Sequence, residues 1–100
     1  MQDFKFWYNM FKMFMKELEK TLKALANRRR LAILKYLKEH KEASVGDVAE
    51  AIRLSFRATS KHLNILAALD ILEREQRSLQ MFYRLANSQK SAVKHILSLV

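Results

Sequence analysis

The stretch ASVGDVAEAIRLSFRATSKHLNIL, residues 43–66, decides the fold of this chain. It predicts two short helices joined by a tight turn at Arg53 and Leu54, because apolar residues recur at helical spacing on both sides of that turn. The second helix carries polar donors outside its apolar stripe, and no acidic residue occurs from Leu54 to Leu69. A helix with one apolar stripe and one face of donors can lie in the major groove of DNA.

Cap residues mark where these two helices begin. Ser44 followed by Asp47 has the spacing of a capping box, in which each side chain bonds to the backbone of the other residue. Ser55 is the N-cap candidate of the second helix. The predicted buried stripes are Val45, Val48, Ala49 and Ile52 in the first helix, and Phe56, Leu63, Leu66 and Leu69, with Thr59 and Ile65 alongside, in the second.

Two further helices are predicted before this stretch. Residues 3–25 form a first helical region that is apolar on more than one face between Phe4 and Met15. Such a helix is usually buried on more than one side, so we expect a partner subunit to cover its second face. Asn27 is a good N-cap for a second helix that runs to about His40, and residues 42–43 are expected to be a short connection.

From Ile71 the apolar period changes from helical to alternating. ILEREQR and QMFYRL predict two strands around a tight bend at Ser78 and Leu79. Asn87 or Ser88 is expected to begin a last helix. The order of four helices, a hairpin and a helix predicts a mainly α (α+β) fold, a winged helix-turn-helix with a small β-hairpin wing. In the hairpin, the residues expected to face inward are Leu72, Met81, Tyr83 and Leu85. In the last helix, Val93, Ile96, Leu97 and Val100 recur at helical spacing.

Composition narrows the classes of partner. The formal net charge of +9 favours an anionic partner, which can be nucleic acid, an acidic membrane surface or an acidic protein. The absence of Cys excludes disulfides and thiolate metal sites. No segment approaches the roughly 18 consecutive apolar residues of a membrane span, and no signal-peptide cleavage site follows the first apolar run, so we expect a cytoplasmic protein.

Three segments together resemble the ArsR/SmtB-type transcriptional repressors. LKALANRRRLAILKYL at residues 22–37 is similar to the opening signature of that family. LSFRATSKHLNILAALDIL and RSLQMFYRLA resemble its recognition helix and its wing. Arg28 replaces the usual Pro of the opening signature, and Asp70 and Ser78 replace the Gly usual at the end of the recognition helix and at the wing tip.

The resemblance implies a homodimeric DNA-binding regulator that consists of one winged helix-turn-helix domain, residues 1–100, with residues 1–20 and 88–100 as dimerisation helices. Metal sensing by the two arrangements common in the family is not expected. The helix at ASVGDVAE lacks their Cys, and the last helix offers only His95 and no carboxylate. The expected dimerisation residues are Phe4, Trp7, Tyr8, Phe11, Phe14, Val93, Ile96 and Leu97.

Candidate DNA contacts follow from the position of donors on the second helix of the pair and on the hairpin. Arg57, near the start of that helix, is the best candidate to read a base, because a guanidinium pairs with guanine through two bonds. Ser55 and Thr59 are expected to meet phosphates, and Arg77 is the expected contact of the wing tip. The full set of predicted DNA contacts is Ser55, Arg57, Thr59, Ser60, Lys61, His62, Asn64, Arg74 and Arg77.

Each of these roles has a structural alternative. The donors of the helix can form a solvated face, and Arg74, Arg77 and Arg84 can pair across the hairpin with Glu73 and Glu75. The basic run of residues 28–30 can touch phosphates, lie in solvent, or pair with Glu17 and Glu19. His62 is expected to be packed or to face a phosphate, since no partner for catalysis or metal binding is near it in sequence.

No catalytic constellation, cofactor motif or metal-ligand spacing is visible, so we expect a non-enzyme that needs no cofactor. The leading hypothesis is a homodimeric regulator, expected to be a repressor, which binds double-stranded DNA. Its dissociation from DNA can follow a small molecule, a partner or no effector at all. The alternative is a winged-helix interaction module that no longer binds DNA specifically. A weaker hypothesis is attachment of residues 4–20, rich in aromatics and Lys, to a membrane surface.

Overall fold

The computed structural model of the protein describes residues 3–100, which form five helices and one small sheet. The predicted order of four helices, a hairpin and a last helix is confirmed, and one strand is added to it. The elements are α1 (Phe4–Leu25), α2 (Arg28–His40), β1 (Glu42–Ser44), α3 (Val45–Ile52), α4 (Phe56–Ala68), β2 (Leu72–Arg77), β3 (Gln80–Leu85) and α5 (Ser91–Leu99).

The three helix starts that the sequence marks with cap residues are confirmed. Asn27 Oδ1 accepts hydrogen bonds from the backbone N–H groups of residues 29 and 30 at 3.0 and 3.1 Å. Ser44 and Asp47 form the complete capping box, and Ser55 Oγ accepts from the Ala58 N–H at 3.2 Å. These bonds satisfy donors that would otherwise lack a partner in the first turn of each helix.

The turns that lack Gly are nevertheless built with left-handed residues. Arg53 between α3 and α4, Asp70 after α4 and Ser78 at the wing tip have φ values of 56°, 59° and 56°. After α4 the Ile71 N–H bonds to the Leu66 carbonyl at 3.1 Å, which closes the helix in a Schellman motif. The short connections of the fold therefore form without Gly, although a left-handed conformation is sterically unfavourable for these residues.

The sheet has three antiparallel strands in the order β1-β3-β2. The prediction that residues 42–43 are only a connection is wrong, because they belong to β1. In that strand Glu42 faces Arg84 and Ser44 faces Phe82. A strand of three residues is too short to show an alternating pattern, and its partner β3 lies far along the chain. The added strand places Glu42 at the side of the wing.

The core is built around α2, α4 and the base of the hairpin. Tyr83 of β3 is 1% exposed, so the whole ring packs against apolar side chains from the helices. Its burial ties the wing to the helical body. The largest fully buried side chains are Tyr83, Ile33, Leu34, Leu37, Leu63, Leu66, Ile71, Val48, Val93 and Thr59.

Three predictions about apolar positions and helix bounds are wrong. Phe56 was expected in the buried stripe of α4, but it is 63% exposed because the first turn of the helix projects beyond the core. Val93 was expected at a dimer interface, but it is buried in the core of its own chain. The last helix begins at Ser91 and not at residues 87–88, since Gln89 Nε2 instead donates to the carbonyls of Ile71 and Ala86 and holds that segment against the body.

α1 extends well beyond the core. Every residue from Phe4 to Lys20 is exposed, and only Thr21, Ala24 and Leu25 near its end are buried. The exposed part contains the predicted aromatic residues, among which Trp7 and Phe11 stack with ring centroids 5.1 Å apart. Within residues 3–100, no helix has both the length and the apolar character that crossing a membrane requires.

Candidate nucleic-acid interface

α4 separates its apolar and polar residues onto opposite faces, as expected for a recognition helix. Thr59, Leu63 and Leu66 face the core and are completely buried. Arg57 and Lys61, one turn apart, lie on the exposed face, and neither forms an ion pair with any residue that the structure describes. Their charges are therefore available to a ligand. Asn64 continues the same exposed face one turn later.

Thr59 is not part of this exposed face. The prediction that its hydroxyl meets a phosphate is wrong, because the residue is fully buried. Its Oγ1 finds no hydrogen-bond partner among residues 3–100. The same helical spacing that puts Arg57 and Lys61 outside places Thr59 inside with Leu63, so its contribution is to packing. A buried hydroxyl without a partner is a cost to stability.

The two serines near the start of α4 remain accessible. Ser55 is exposed, and its Oγ accepts the capping bond while its O–H can still donate outward. Ser60 is half-buried and lines a groove between α4 and the wing. Both residues therefore keep a donor that a phosphate could accept.

His62 is half-buried and contacts α2. Its Nδ1 lies 3.2 Å from a guanidinium nitrogen of Arg30. Because Arg has no acceptor, Nδ1 must accept this bond, and the ring proton then belongs to Nε2. Burial, together with the charges of Arg30, Arg29 and Lys61, lowers the pKa of His62 below its ordinary value of 6.5. The ring is therefore neutral and oriented at neutral pH.

Arg30 links three helices. Its Nε donates to the Ala24 carbonyl near the end of α1, while its guanidinium also reaches His62 of α4. The suggested pairing of the basic run 28–30 with Glu17 and Glu19 is not observed. Glu19 pairs with Lys23 at 3.7 Å, and Glu17 lies 3.9 Å from Lys90. The basic run thus extends the positive surface of α4 toward the start of α2.

Asn64 is held by the wing. Its Oδ1 accepts a hydrogen bond from the Tyr83 hydroxyl at 2.7 Å and a second from Arg74 at 2.9 Å. Arg74 of β2 therefore reaches back to α4. The sequence does not predict this cluster of Asn64, Arg74 and Tyr83, because the strand pattern indicates only that Tyr83 faces inward.

The remaining arginines of the wing pair across the strands. Arg77 donates two hydrogen bonds to the Glu42 carboxylate, at 2.7 and 2.6 Å, and a third to Glu75 at 3.1 Å. Arg84 lies within 3.2–3.6 Å of Glu42, Glu73 and Glu75. These bonds lower the pKa of Glu42 and of Glu75 and raise that of Arg77. Cross-strand pairing, the alternative to a DNA contact, is thus what the wing forms here.

A groove of about 340 Å³ separates α4 from the wing. Two exposed apolar side chains border it, Phe56 at 63% and Leu79 at 96% exposure. The sequence predicts neither as a DNA contact, because helical spacing places Phe56 in the core and Leu79 lies at the predicted bend of the hairpin. Within residues 3–100, no group of three or more His, Asp or Glu side chains could hold a metal ion.

Comparison with known proteins identifies the same elements. A family model described as a helix-turn-helix domain matches residues 25–75. The transcriptional activator HlyU of Vibrio cholerae is 36% identical over 76 residues, which are 76% of this chain and 69% of that protein. The structure of reduced HlyU from Vibrio cholerae superimposes with a TM-score of 0.74 and 31% identity over 90% of each chain.

Two further solved structures share the architecture. The homodimeric winged helix-turn-helix DNA-binding domain of Mb0332 from Mycobacterium bovis, a possible ArsR-family regulator, has a TM-score of 0.74 and 26% identity over 99% of this chain and 82% of that one. The transcriptional repressor PagR of Bacillus anthracis has a TM-score of 0.70 and 25% identity over 88% and 97%. The family model and these relatives, together with the buried and exposed faces of α4 and the wing beside it, show that the chain belongs to the ArsR/SmtB-type family of winged helix-turn-helix, DNA-binding transcriptional regulators and is not an enzyme.

Proposed function

We propose that the protein is a sequence-specific regulator that binds double-stranded DNA as a homodimer, with α4 of each subunit in a major groove. The observation that carries this proposal is the exposed row of Arg57, Lys61 and Asn64, whose opposite face is fixed in the core. Because the core fixes the backbone of this helix, only the side chains of its exposed face have to be ordered at the moment of binding. Two copies would read half-sites about 34 Å apart, one turn of the DNA helix.

Most of the affinity would come from phosphates. The net charge of +9 supplies a sequence-independent attraction that weakens as salt is added. Lys61 of the exposed row, together with Ser55 and Ser60 beside it, provides the proposed phosphate contacts of α4. His62 can add its Nε2–H, since Arg30 holds Nδ1 as an acceptor. Arg57 is the proposed base reader, and α4 belongs to the single winged helix-turn-helix domain that we propose for residues 1–100.

The homodimer would be formed by α1 and α5. Phe4, Trp7, Tyr8, Phe11 and Phe14 are 42–75% exposed, which is more apolar surface than a separate chain usually leaves in water. Ile96 and Leu97 of α5 pack partly against the core and keep some exposed surface for a partner, while Val93 is excluded because it is fully in the core. The homodimeric state of the Mb0332 domain supports the proposal.

We propose repression as the direction of regulation, with the protein acting in the cytoplasm. A dimer that covers about two turns of DNA excludes other proteins from the same groove, and PagR is a repressor. HlyU is named an activator, so the position of the bound site relative to the promoter would set the outcome.

The proposal is tested by fluorescence anisotropy near 0.15 M salt, with the DNA upstream of the protein's own gene and a scrambled duplex of equal length. A preference of at least about 10³-fold for the upstream duplex is expected, the low end for specific DNA-binding proteins. Equal, weak and salt-sensitive binding to that duplex and to duplexes selected from a random library would contradict sequence-specific recognition.

A second candidate function is a protein-interaction module that does not bind DNA specifically. The observation that favours it is the long exposed aromatic surface of α1, together with the pairing of Arg77 and Arg84 by wing carboxylates. This function would be indicated by a partner protein that binds α1, together with equal binding of the protein to all DNA duplexes. The same anisotropy experiment distinguishes the two candidates.

A further inference from the structure

The amide of Asn64 has one orientation that its neighbours permit. Arg74 lies 2.9 Å from one amide atom and the Tyr83 hydroxyl lies 2.7 Å from the same atom. A guanidinium has donors only, so the atom beside Arg74 must be the oxygen. Flipping the amide would set an NH₂ group against the guanidinium, two donors facing each other. Arg74 therefore fixes the orientation of the Asn64 amide, with Oδ1 toward the guanidinium and Nδ2 away from it.

Tyr83 is compatible with this orientation but does not impose it, because a phenol hydroxyl can either donate or accept. The phenol belongs to a residue that is 1% exposed, and its hydroxyl donates to the same Asn64 oxygen. Both lone pairs of Oδ1 are thereby engaged, one by Tyr83 and one by Arg74. Asn64 Oδ1 is therefore fully hydrogen-bonded within the protein and is not available to a base.

The other end of the amide remains available. Asn64 is exposed, lies on the face of α4 that carries Arg57 and Lys61, and lines the groove between α4 and the wing. Its Nδ2 has no hydrogen-bond partner among residues 3–100. The residue thus presents two N–H donors to a ligand and no acceptor.

This donor-only state changes what an Asn can read. The usual pairing of Asn with adenine needs both amide atoms, since Oδ1 accepts from N6 and Nδ2 donates to N7. With Oδ1 occupied, the adenine pairing loses one of its two bonds and the N6 donor loses its partner. Guanine presents acceptors at both N7 and O6, whereas cytosine presents a donor at N4. An NH₂ group alone is therefore best matched by guanine, whose two adjacent acceptors can both receive its N–H groups, whereas thymine O4 and adenine N7 each offer a single acceptor.

We propose that Asn64 is a specificity-determining residue that reads guanine in the major groove through Nδ2 alone. Arg74, which orients the amide, and Tyr83, which occupies Oδ1 together with Arg74, are the positioning residues. The inference rests on the proposed function, since α4 must enter the groove for Asn64 to meet a base. It makes the recognition helix dependent on the wing even where the wing touches no DNA.

The test is selection of duplexes from a randomised library by the wild type, by Asn64→Ala and by the double variant Tyr83→Phe, Arg74→Ala. The wild type is expected to select guanine at one position of each half-site, and Asn64→Ala to lose that preference by about fivefold or more, the low end for a good base contact. The double variant frees Oδ1 and is expected to admit adenine at that same position, a gain that a damaged fold would not produce. Tyr83→Phe alone keeps the amide oriented by Arg74 but frees one lone pair of Oδ1, so it should admit adenine less than the double variant does and more than the wild type.

The outcomes separate the two proposals. If the wild type enriches a sequence but Asn64→Ala selects the same base at every position, Asn64 reads no base and the inference is overturned while the proposed function stands. Selection of adenine by the wild type at the position that depends on Asn64 would also overturn it. If the wild type enriches nothing, the proposed function itself fails.

Discussion

Arg77 in β2 donates two hydrogen bonds to the carboxylate of Glu42 in β1, at 2.7 and 2.6 Å, although β3 lies between the two strands. The guanidinium crosses the sheet over the ring of Phe82, with its carbon 4.7 Å from the ring centroid. Glu75 adds a third bond at 3.1 Å. The cation nearest the wing tip is therefore engaged by carboxylates of its own chain.

Removal of that carboxylate is expected to strengthen binding to any DNA. In Glu42→Gln the bidentate ion pair is lost and Arg77 keeps only its bond to Glu75, so the guanidinium gains freedom to meet a phosphate and one repelling charge disappears. Affinity for specific and scrambled duplexes should rise several-fold at low salt, and the plot of log K against log salt should steepen by up to about one phosphate contact. Anisotropy titrations over a range of salt measure both quantities.

Glu19→Gln is the matched control, because it removes the same charge from α1, where Glu19 pairs only with Lys23 among the described residues. Its effect on affinity should be clearly smaller. Equal gains from the two variants would mean that net charge alone acts and that Arg77 is not released toward DNA.

Thr59→Val is expected to stabilise the fold and to leave DNA affinity unchanged. The substitution keeps the branched shape of a fully buried side chain and removes a hydroxyl that has no partner among residues 3–100. A gain of about 1 kcal/mol in the free energy of unfolding is expected, the low end of the cost of a buried unsatisfied group. Urea denaturation measures it.

Thr59→Ser is the opposite control, since it keeps the hydroxyl and removes the methyl group. It should cost about 1 kcal/mol, the value of one buried methyl plus some cavity. A loss of DNA affinity in Thr59→Val without a loss of stability would restore Thr59 as a DNA contact.

Near neutral pH, the free energy of unfolding should depend on the protonation state of His62. The folded state holds the pKa of His62 below 6.5, chiefly by burial and then by Arg30, so the unfolded chain binds the proton more readily. The stabilisation is therefore complete above about pH 6.5 and is lost as the pH falls from that value toward the lowered folded pKa. In His62→Gln this part of the pH dependence should disappear.

Arg30→Met tests the cause of the shift. It removes the charge 3.2 Å from Nδ1 but leaves most of the burial, so the pKa of His62, followed by NMR of the ring protons, should rise part of the way toward 6.5. An unchanged pKa would show that the Arg30 contact is not made in solution.

The proposed dimer interface is tested by Trp7→Glu. Trp7 is 58% exposed and stacks on Phe11, so a carboxylate at this position would be desolvated in any interface that covers the aromatic surface. Sedimentation should show a monomer, with weaker binding to duplexes that carry two half-sites. Asn9→Glu puts the same charge about 200° around the helix and should leave the dimer intact. Identical behaviour of the two variants would argue against this interface.

Local signals in the sequence predict most of the fold. The caps at Asn27, Ser44 and Ser55 act within one helical turn, and helical spacing identifies the buried Leu63 and Leu66, so these features need no knowledge of the rest of the chain. The change to alternation after Ile71 likewise predicts the hairpin, whose turn at residues 78–79 is confirmed.

What the sequence misses depends on contacts between distant segments. β1 exists because β3 pairs with it, and three residues are too few for an alternating pattern. The missed strand also hides the partner of Arg77, since Glu42 reaches it only across the assembled sheet. Helical spacing does not show that Phe56 projects beyond the core. No local pattern in the sequence indicates that Tyr83 and Arg74 both donate hydrogen bonds to Asn64 Oδ1.

The most direct test of recognition by α4 is the affinity of Arg57→Ala for the duplex that the wild type prefers and for a scrambled duplex, measured by anisotropy beside Lys94→Ala, which removes an exposed charge from α5. Arg57→Ala should lose about 1–3 kcal/mol on the preferred duplex, much less on the scrambled one, and relax the preference at one base position. Lys94→Ala should change both affinities alike and only slightly. Equal losses on the two duplexes for Arg57→Ala would contradict the reading of bases by this helix.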